Sequence, residues 1–203
     1  MKDMKKSFSF PIIFMVVITA FFTFILAFLN YSTADKIAYN EETDLRETIL
    51  YVFDIKPESR DAAAIEKAFE ENIHEEKDGE DTIYTVEENG EVTGYAFPVR
   101  GTGLWGSVEG YVAISSDYSK LLGIDFVSHS ETPGLGGRIS EDEYRNQFRD
   151  MDLSEATEGR YIVYRPAPGG NADAISGATL TSQSVAQFVN ADIEQFIKER
   201  KGE

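Results

Sequence analysis

Asp81–Val99 reads DTIYTVEENGEVTGYAFPV, with apolar and polar residues alternating on either side of Asn89-Gly90. An Asn-Gly pair supplies the two positive-φ residues that a two-residue hairpin turn needs, and a period of two marks a half-buried strand. The stretch therefore predicts two antiparallel strands. Val108–His129, VEGYVAISSDYSKLLGIDFVSH, repeats the pattern around Ser116 and Asp117, so at least four strands follow one another with no helix between them. Such a run is a meander, and a meander is an antiparallel sheet.

Helical spacing brackets these strands. In Asp44–Ile55 and Arg60–Glu76 the apolar residues fall three and four apart (Leu45, Ile49, Val52, Phe53; Ala64, Ile65, Ala68, Phe69), which predicts two short helices divided by Pro57. Downstream come a loop, Ser130–Ser140, a short helix about Glu141–Phe148, a strand at Tyr161–Arg165 and a turn-rich stretch. A last helix begins near Thr179–Ser182; Val185, Phe188, Val189, Ile193, Phe196 and Ile197 share one face, and Lys198, Arg200 and Lys201 close it where positive charge suits the helix dipole. The class is α+β, an antiparallel sheet flanked by helices.

The N-terminus adds a segment of another kind. Phe8–Leu29 carries no charge and is long enough to cross a bilayer as a helix; Lys2, Lys5 and Lys6 precede it and acidic Asp35–Asp44 follows it. This places a cytoplasmic N-terminus at 1–7, a transmembrane helix at 8–29, a membrane-proximal helical segment at 30–80 and an extracytoplasmic domain at 81–203. Thr19 and Thr23, four apart, are candidate interhelical contacts. A cleaved signal peptide, with Ser32–Ala34 as its small-residue site, is the rival; the length of the apolar run favours an uncleaved anchor. The 203 residues include no cysteine and two histidines, His74 and His129, which disfavours thiol chemistry and zinc. A formal charge of -17 argues against nucleic acid, whose phosphates demand surplus Lys and Arg.

Three stretches invite a ligand. Gly101–Gly106, GTGLWG, has the spacing of a dinucleotide fingerprint but runs on into a strand where that motif needs a helix. What remains is a turn showing Leu104 and Trp105; the plain expectation for the sole tryptophan is packing on the sheet, with ligand stacking as the alternative. Glu131–Gly137, ETPGLGG, crowds three glycines and a proline into seven residues, which lets backbone approach a ligand closely. His129 and Glu131 flank this loop, and the expectation for them is a structural pair, not an acid–base couple. Asp173–Ser182, DAISGATLTS, sets Ser176, Gly177, Ala178 and Thr179 at the positive end of the last helix, where an anion is held by free amides. One hydroxyl would suffice for a helix cap; small residues around Thr179 fit a phosphate held by, or esterified to, its hydroxyl.

The pattern Asp173-x-x-Ser176-Gly177-Ala178-Thr179 resembles the flavinylation motif of the covalent FMN-binding domain, a family with members in the Na+-translocating NADH:quinone reductase and in the Rnf electron-transport complex. His129–Gly137, Gly94–Val99, Gly103–Gly106 and the single N-terminal apolar helix resemble other segments of that family. The choice between the two complexes falls narrowly to the quinone reductase, with Rnf as the alternative: Gly103–Trp105 and Gly136-Gly137 resemble the former, chain length the latter. The resemblance implies an electron carrier in a plasma-membrane complex, with FMN joined by a phosphoester to Thr179 through a flavin transferase that uses FAD. It also implies other membrane subunits and lipid as partners. Within it, Ser176 and the helix amides hold the phosphate, Thr132, Gly134, Leu135 and Gly136 line the flavin, Leu104 and Trp105 bound its other side, and Asp173 is read by the transferase. No acid–base catalyst and no metal site is assigned. Two alternatives stand beside it: an interaction module without flavin, in which Ser176 or Thr179 merely caps the helix, and a flavin-bearing sensor or donor detached from any ion pump.

Overall fold

The structure, a computed structural model, describes residues 9–79, 81–154, 156 and 159–202. Lys2, Lys5 and Lys6 and the expected N-terminal tail at 1–7 lie outside the described residues. The chain divides into two compact units, Met1–Glu42 and Thr43–Glu203.

In the first unit the described residues belong to helix α1, Ser9–Val52, which is long and apolar enough to cross a membrane by length and composition. Its apolar side chains from Ile12 to Leu29 are mostly exposed, and the helix passes through Ser32–Ala34 without a break. Ser32 and Thr33 return their hydroxyls to the carbonyls of Phe28 and Leu29, at 2.8 and 2.9 Å, so their polarity does not interrupt the helix. The sequence predicts a separate helix at Asp44–Ile55; instead α1 runs on to Val52.

The second unit is built on one sheet. Its strands are β1 (Ile73–Asp78), β2 (Asp81–Glu88), β3 (Glu91–Thr102), β4 (Ser107–Ser115), β5 (Lys120–His129) and β6 (Met151–Asp152). All neighbours are antiparallel and the spatial order is the chain order, as a meander requires. Asn89 and Gly90 have φ of 56° and 83°, the pair of positive angles of a type I′ turn. At the next turn Asp117 accepts the Ser119 amide at 3.0 Å and the hydroxyls of Ser115 and Ser119.

Alternation sends side chains to two cores. Ile83, Phe97, Val112 and Ile114 enter the larger one, with Phe148 and the buried face of α4 (Thr179–Lys201), where Phe97 and Phe196 stack with centroids 4.1 Å apart. Tyr84, Ala96 and Ala113, one residue out of step, enter the other with Ile49, Leu50 and Val52 of α1 and Ile65 and Phe69 of α2 (Ala62–Asn72). Helices thus cover both faces of the sheet.

The end of α1 is held by polar contacts within this unit. Arg149 donates to the carbonyls of Tyr51, Val52 and Leu122, satisfying helix carbonyls that have no intrahelical partner. Buried Asp125 pairs with Arg145 of α3 (Asp142–Arg145), and both Arg145 and Arg149 lie over the Tyr51 ring, 4.1 and 4.3 Å from its centre.

Two further expectations need correction. The second helix stops at Asn72, and Ile73–Asp78, within the stretch 30–80 read as helical, is the charged edge strand β1. Pairing of Ile73 with Val86 outweighs the helix propensity of the glutamates, and charge on an edge deters further strands from adding. Among the described residues, the expected strand at Tyr161–Arg165 makes one isolated parallel bridge, Tyr164 to Ala172. Side chains serve much of its backbone: Asn190 bonds both polar groups of Ile162, and Asn171 bonds Tyr161 and Val163, while the Val163 carbonyl accepts the amides of Asn171 and Ala172 and the Arg165 amide donates to Ala172. The sheet therefore takes β6, two residues too short to read as a strand from sequence.

Removing one partner of a buried ion pair leaves a charge without compensation. Asp125→Ala is expected to lower the stability of the detergent-solubilised chain by about 3 kcal/mol, read as a lower urea midpoint in the strand circular-dichroism signal.

Candidate functional site

Three segments far apart in sequence meet at one carboxylate. Glu131 follows β5 and is 5% exposed. Its Oε1 accepts the backbone N–H groups of Leu104 and Trp105, at 2.7 and 3.0 Å, from the turn between β3 and β4. Its Oε2 accepts the Thr181 hydroxyl, at 2.6 Å, from the first turn of α4. Burial works against the charge, but the bonds from Thr181, Trp105 and Leu104 outweigh it and hold the carboxyl below the usual carboxylate range. The carboxylate lies so close to the backbone that a Cβ at Gly103 or Gly136 would collide with its oxygens; at Gly136 it would also lie 2.7 Å from the Thr181 hydroxyl.

Around this point the chain folds tightly. Gly103 donates to the Gly106 carbonyl at 2.7 Å, closing the turn that carries Leu104 and Trp105. Thr132 accepts the amides of Leu135 and Gly137, at 3.1 and 3.0 Å, closing the glycine-rich loop. His129 accepts the Glu131 N–H at Nδ1 and lies 3.1 Å from the Ser140 hydroxyl at Nε2, a structural arrangement.

The start of α4 separates its hydroxyls by role. Thr181 and Ser182 point inward and are buried; Ser182 accepts the Ile175 N–H at 3.0 Å and donates to the Ala178 carbonyl at 3.2 Å. Thr179, the first helical residue, is exposed, as is Ser176. Ala178 occupies the cap position with φ −133° and ψ 42°, and no side chain caps the helix. The amides of the first turn are therefore available to an anion, reinforced by the helix dipole. Gly177 takes φ +81°, and a Cβ there would touch Leu135 at 3.4 Å, so this turn lies against the glycine-rich loop.

The residues singled out in sequence thus gather in three adjoining turns: Leu104 and Trp105; Thr132, Gly134, Leu135 and Gly136; Ser176, Gly177, Ala178 and Thr179. Trp105 does not pack on the sheet as expected. It is 69% exposed, and Leu104, Leu135 and Leu180 are also exposed large apolar side chains. The turn that holds its backbone leaves its ring outside. Asp173 is exposed and pairs with Arg165 at 2.8 Å. Glu131 and Thr181 are the residues that sequence reasoning undervalued; the one available signal was an acidic residue set between glycine-rich turns.

Residues 103–194, which contain all three turns, match the family model described as the FMN-binding domain. The matched stretch is 92 of the 203 residues and is similar to that domain. It is 33% identical over 117 residues to a component of the ion-translocating oxidoreductase complex of Methanosarcina acetivorans, covering 58% of each chain. It is 36% identical over 108 residues to a component of the Na(+)-translocating NADH-quinone reductase of Vibrio anguillarum, covering 51% of this chain and 42% of that one. The chain thus spans roughly half the length of the curated relatives it matches. Among solved structures, a component of the Na(+)-translocating NADH-quinone reductase of Parabacteroides distasonis superposes with a TM-score of 0.67 at 25% identity, covering 79% of this chain and 93% of that one.

A carboxyl held below its unfolded value contributes stability that is complete above the ordinary range, about pH 4.3, and is lost as pH falls through the depressed value. The difference in urea midpoint between wild type and Glu131→Gln, followed by Trp105 fluorescence, is expected to stay constant from neutral pH to about pH 5 and to shrink by about pH 3.

Proposed function

We propose that the FMN-binding domain carries its flavin through a phosphoester to the Thr179 hydroxyl and acts as an electron carrier in a membrane-bound, ion-translocating oxidoreductase complex. The observation that carries this reading is the start of α4: an exposed Thr179 hydroxyl beside first-turn amides that no side chain caps. If Ser176 or Thr179 served only as a helix cap, one of them would occupy the cap position and bond an amide; Ala178 occupies it. The residues fit a flavin phosphate, because an anion placed there meets unpaired N–H donors and the positive end of a 23-residue helix.

In this reading Thr179 is the attachment point, and Ser176 with the amides of the first turn holds the phosphate. Thr132, Gly134, Leu135 and Gly136 line one side of the flavin, and Leu104 and Trp105 bound another, offering planar and apolar surface to an aromatic ring. FMN, when bound, supplies the capacity to accept and release one or two electrons; the chain's part is to place it and to shield one of its faces. Exposed Asp173 serves recognition by a flavin transferase, away from the phosphate that its charge would repel.

The relatives' names bring two systems, an ion-translocating oxidoreductase complex and a sodium-translocating NADH-quinone reductase. In either kind of complex the reading asks the same of this chain: a membrane anchor, other subunits as electron donor and acceptor, and a flavin held on Thr179. Helix α1 supplies the anchor, with its apolar length in lipid and Thr19 and Thr23 toward a neighbouring helix. The lysines before it and the acidic residues after it put the N-terminus in the cytoplasm and the FMN-binding domain on the opposite side of the plasma membrane.

The test is a denaturing gel of the full chain co-expressed with a flavin transferase, viewed under ultraviolet light. Wild type is expected to give a fluorescent band and Thr179→Val none, with the strand signal of the variant unchanged; a fluorescent band in the variant would overturn the assignment.

A further inference from the structure

We infer that Glu131 is the positioning residue of the flavin site: it fixes the Leu104-Trp105 turn and the glycine-rich loop in register with the first turn of α4, so that a flavin on Thr179 meets preformed walls. This rests on the proposed attachment at Thr179 and extends it to a residue that itself faces away from solvent.

A carboxylate that is 5% exposed is expensive unless its oxygens are hydrogen-bonded, and an alternative residue would avoid the expense if the position were mere filling. Here the oxygens divide their partners by segment. One takes the two consecutive amides of Leu104 and Trp105, the other takes the Thr181 hydroxyl, and Glu131 itself begins the ETPGLGG loop. No hydrogen bond of the sheet ladder reaches Leu104 or Trp105, since β3 ends at Thr102 and β4 starts at Ser107. Apart from the Gly103–Gly106 closure, the Glu131 carboxylate is what orients this turn.

The same bonds decide which side chains face outward. With the amides of Leu104 and Trp105 directed inward to the carboxylate, their side chains are directed out, at 50% and 69% exposure. With the Thr181 hydroxyl directed inward, Thr179 and Leu180, on the preceding part of the turn, are left exposed. The glycine at 136 completes the set, because a Cβ there would push the carboxylate off Thr181. One acidic residue therefore sets the display of Leu104, Trp105 and Thr179 together.

Glutamine can reproduce these bonds, its carbonyl oxygen accepting the two amides and its NH2 donating to the Thr181 oxygen; alanine can reproduce none. The test uses the full chain in detergent with a purified flavin transferase and FAD. Glu131→Ala is expected to slow covalent flavin attachment about tenfold, as misplacement of a reacting group does. Glu131→Gln is expected to restore the rate to within about threefold, and Thr181→Val to fall between them. In parallel, amide hydrogen exchange at Leu104 and Trp105 is expected to be protected in wild type and Glu131→Gln and to lose protection in Glu131→Ala. Wild-type attachment rates and retained protection in Glu131→Ala would overturn the inference, as would a Glu131→Gln variant that is folded yet as slow as alanine. If wild type accepts no flavin at all, the Thr179 reading falls, and the exchange measurement still decides whether Glu131 holds the turn.

Discussion

A buried carboxylate has to be satisfied by donors, and Glu131 finds three of them on two other segments of the chain. The remainder of the site follows from that requirement. Glycines stand at 103 and 136 because the oxygens come too near the backbone for a side chain, and the amides drawn inward force apolar side chains outward. The sheet supplies the fixed ends: β3 and β4 deliver the turn, β5 delivers Glu131, and α4 packed on the large core delivers Thr181.

A second polar cluster does comparable work on the other side of the domain. Asp125, Arg145, Arg149 and Tyr51 fasten the last turn of α1 to β5 and α3, replacing helix-end water with fixed donors. Aromatic faces and guanidinium planes are suited to this, since each arginine can stack and hydrogen-bond at once. The final residues of α1 are in this way part of the domain's own core, together with Ile49, Leu50 and Val52.

Much of the sheet was legible because its signals are local. Asn89-Gly90 fixes a turn by its own backbone preferences, and alternation in β2 to β5 reports which face each residue covers. The last helix was legible for the same reason, since Val185, Phe188, Val189, Ile193, Phe196 and Ile197 mark one stripe and all are buried. What escaped depends on distant partners. Ile73–Asp78 looks helical until Val86 is beside it, and Tyr161–Arg165 looks like a strand until Asn190 and Asn171 take its backbone. At the site, the glycine-rich and Ser-Gly-Ala-Thr stretches stood out by composition, whereas the importance of Glu131 and Thr181 lies in contacts 26 to 50 residues apart that no spacing rule reveals.

Ala178 at the head of α4 has a thermodynamic meaning of its own. Serine, threonine, asparagine or aspartate at a cap position adds roughly 1 kcal/mol to a helix over alanine, so the chain gives up stability at this point. Such concessions are typical where function and folding compete for the same atoms. The amides left unpaired in the folded protein form a reserve, and any anion that settles on them returns the forgone free energy to the whole domain through linkage. Under the proposed attachment at Thr179, the seating of the phosphate on these amides would couple maturation to folding, because the amides are gathered only in the folded chain.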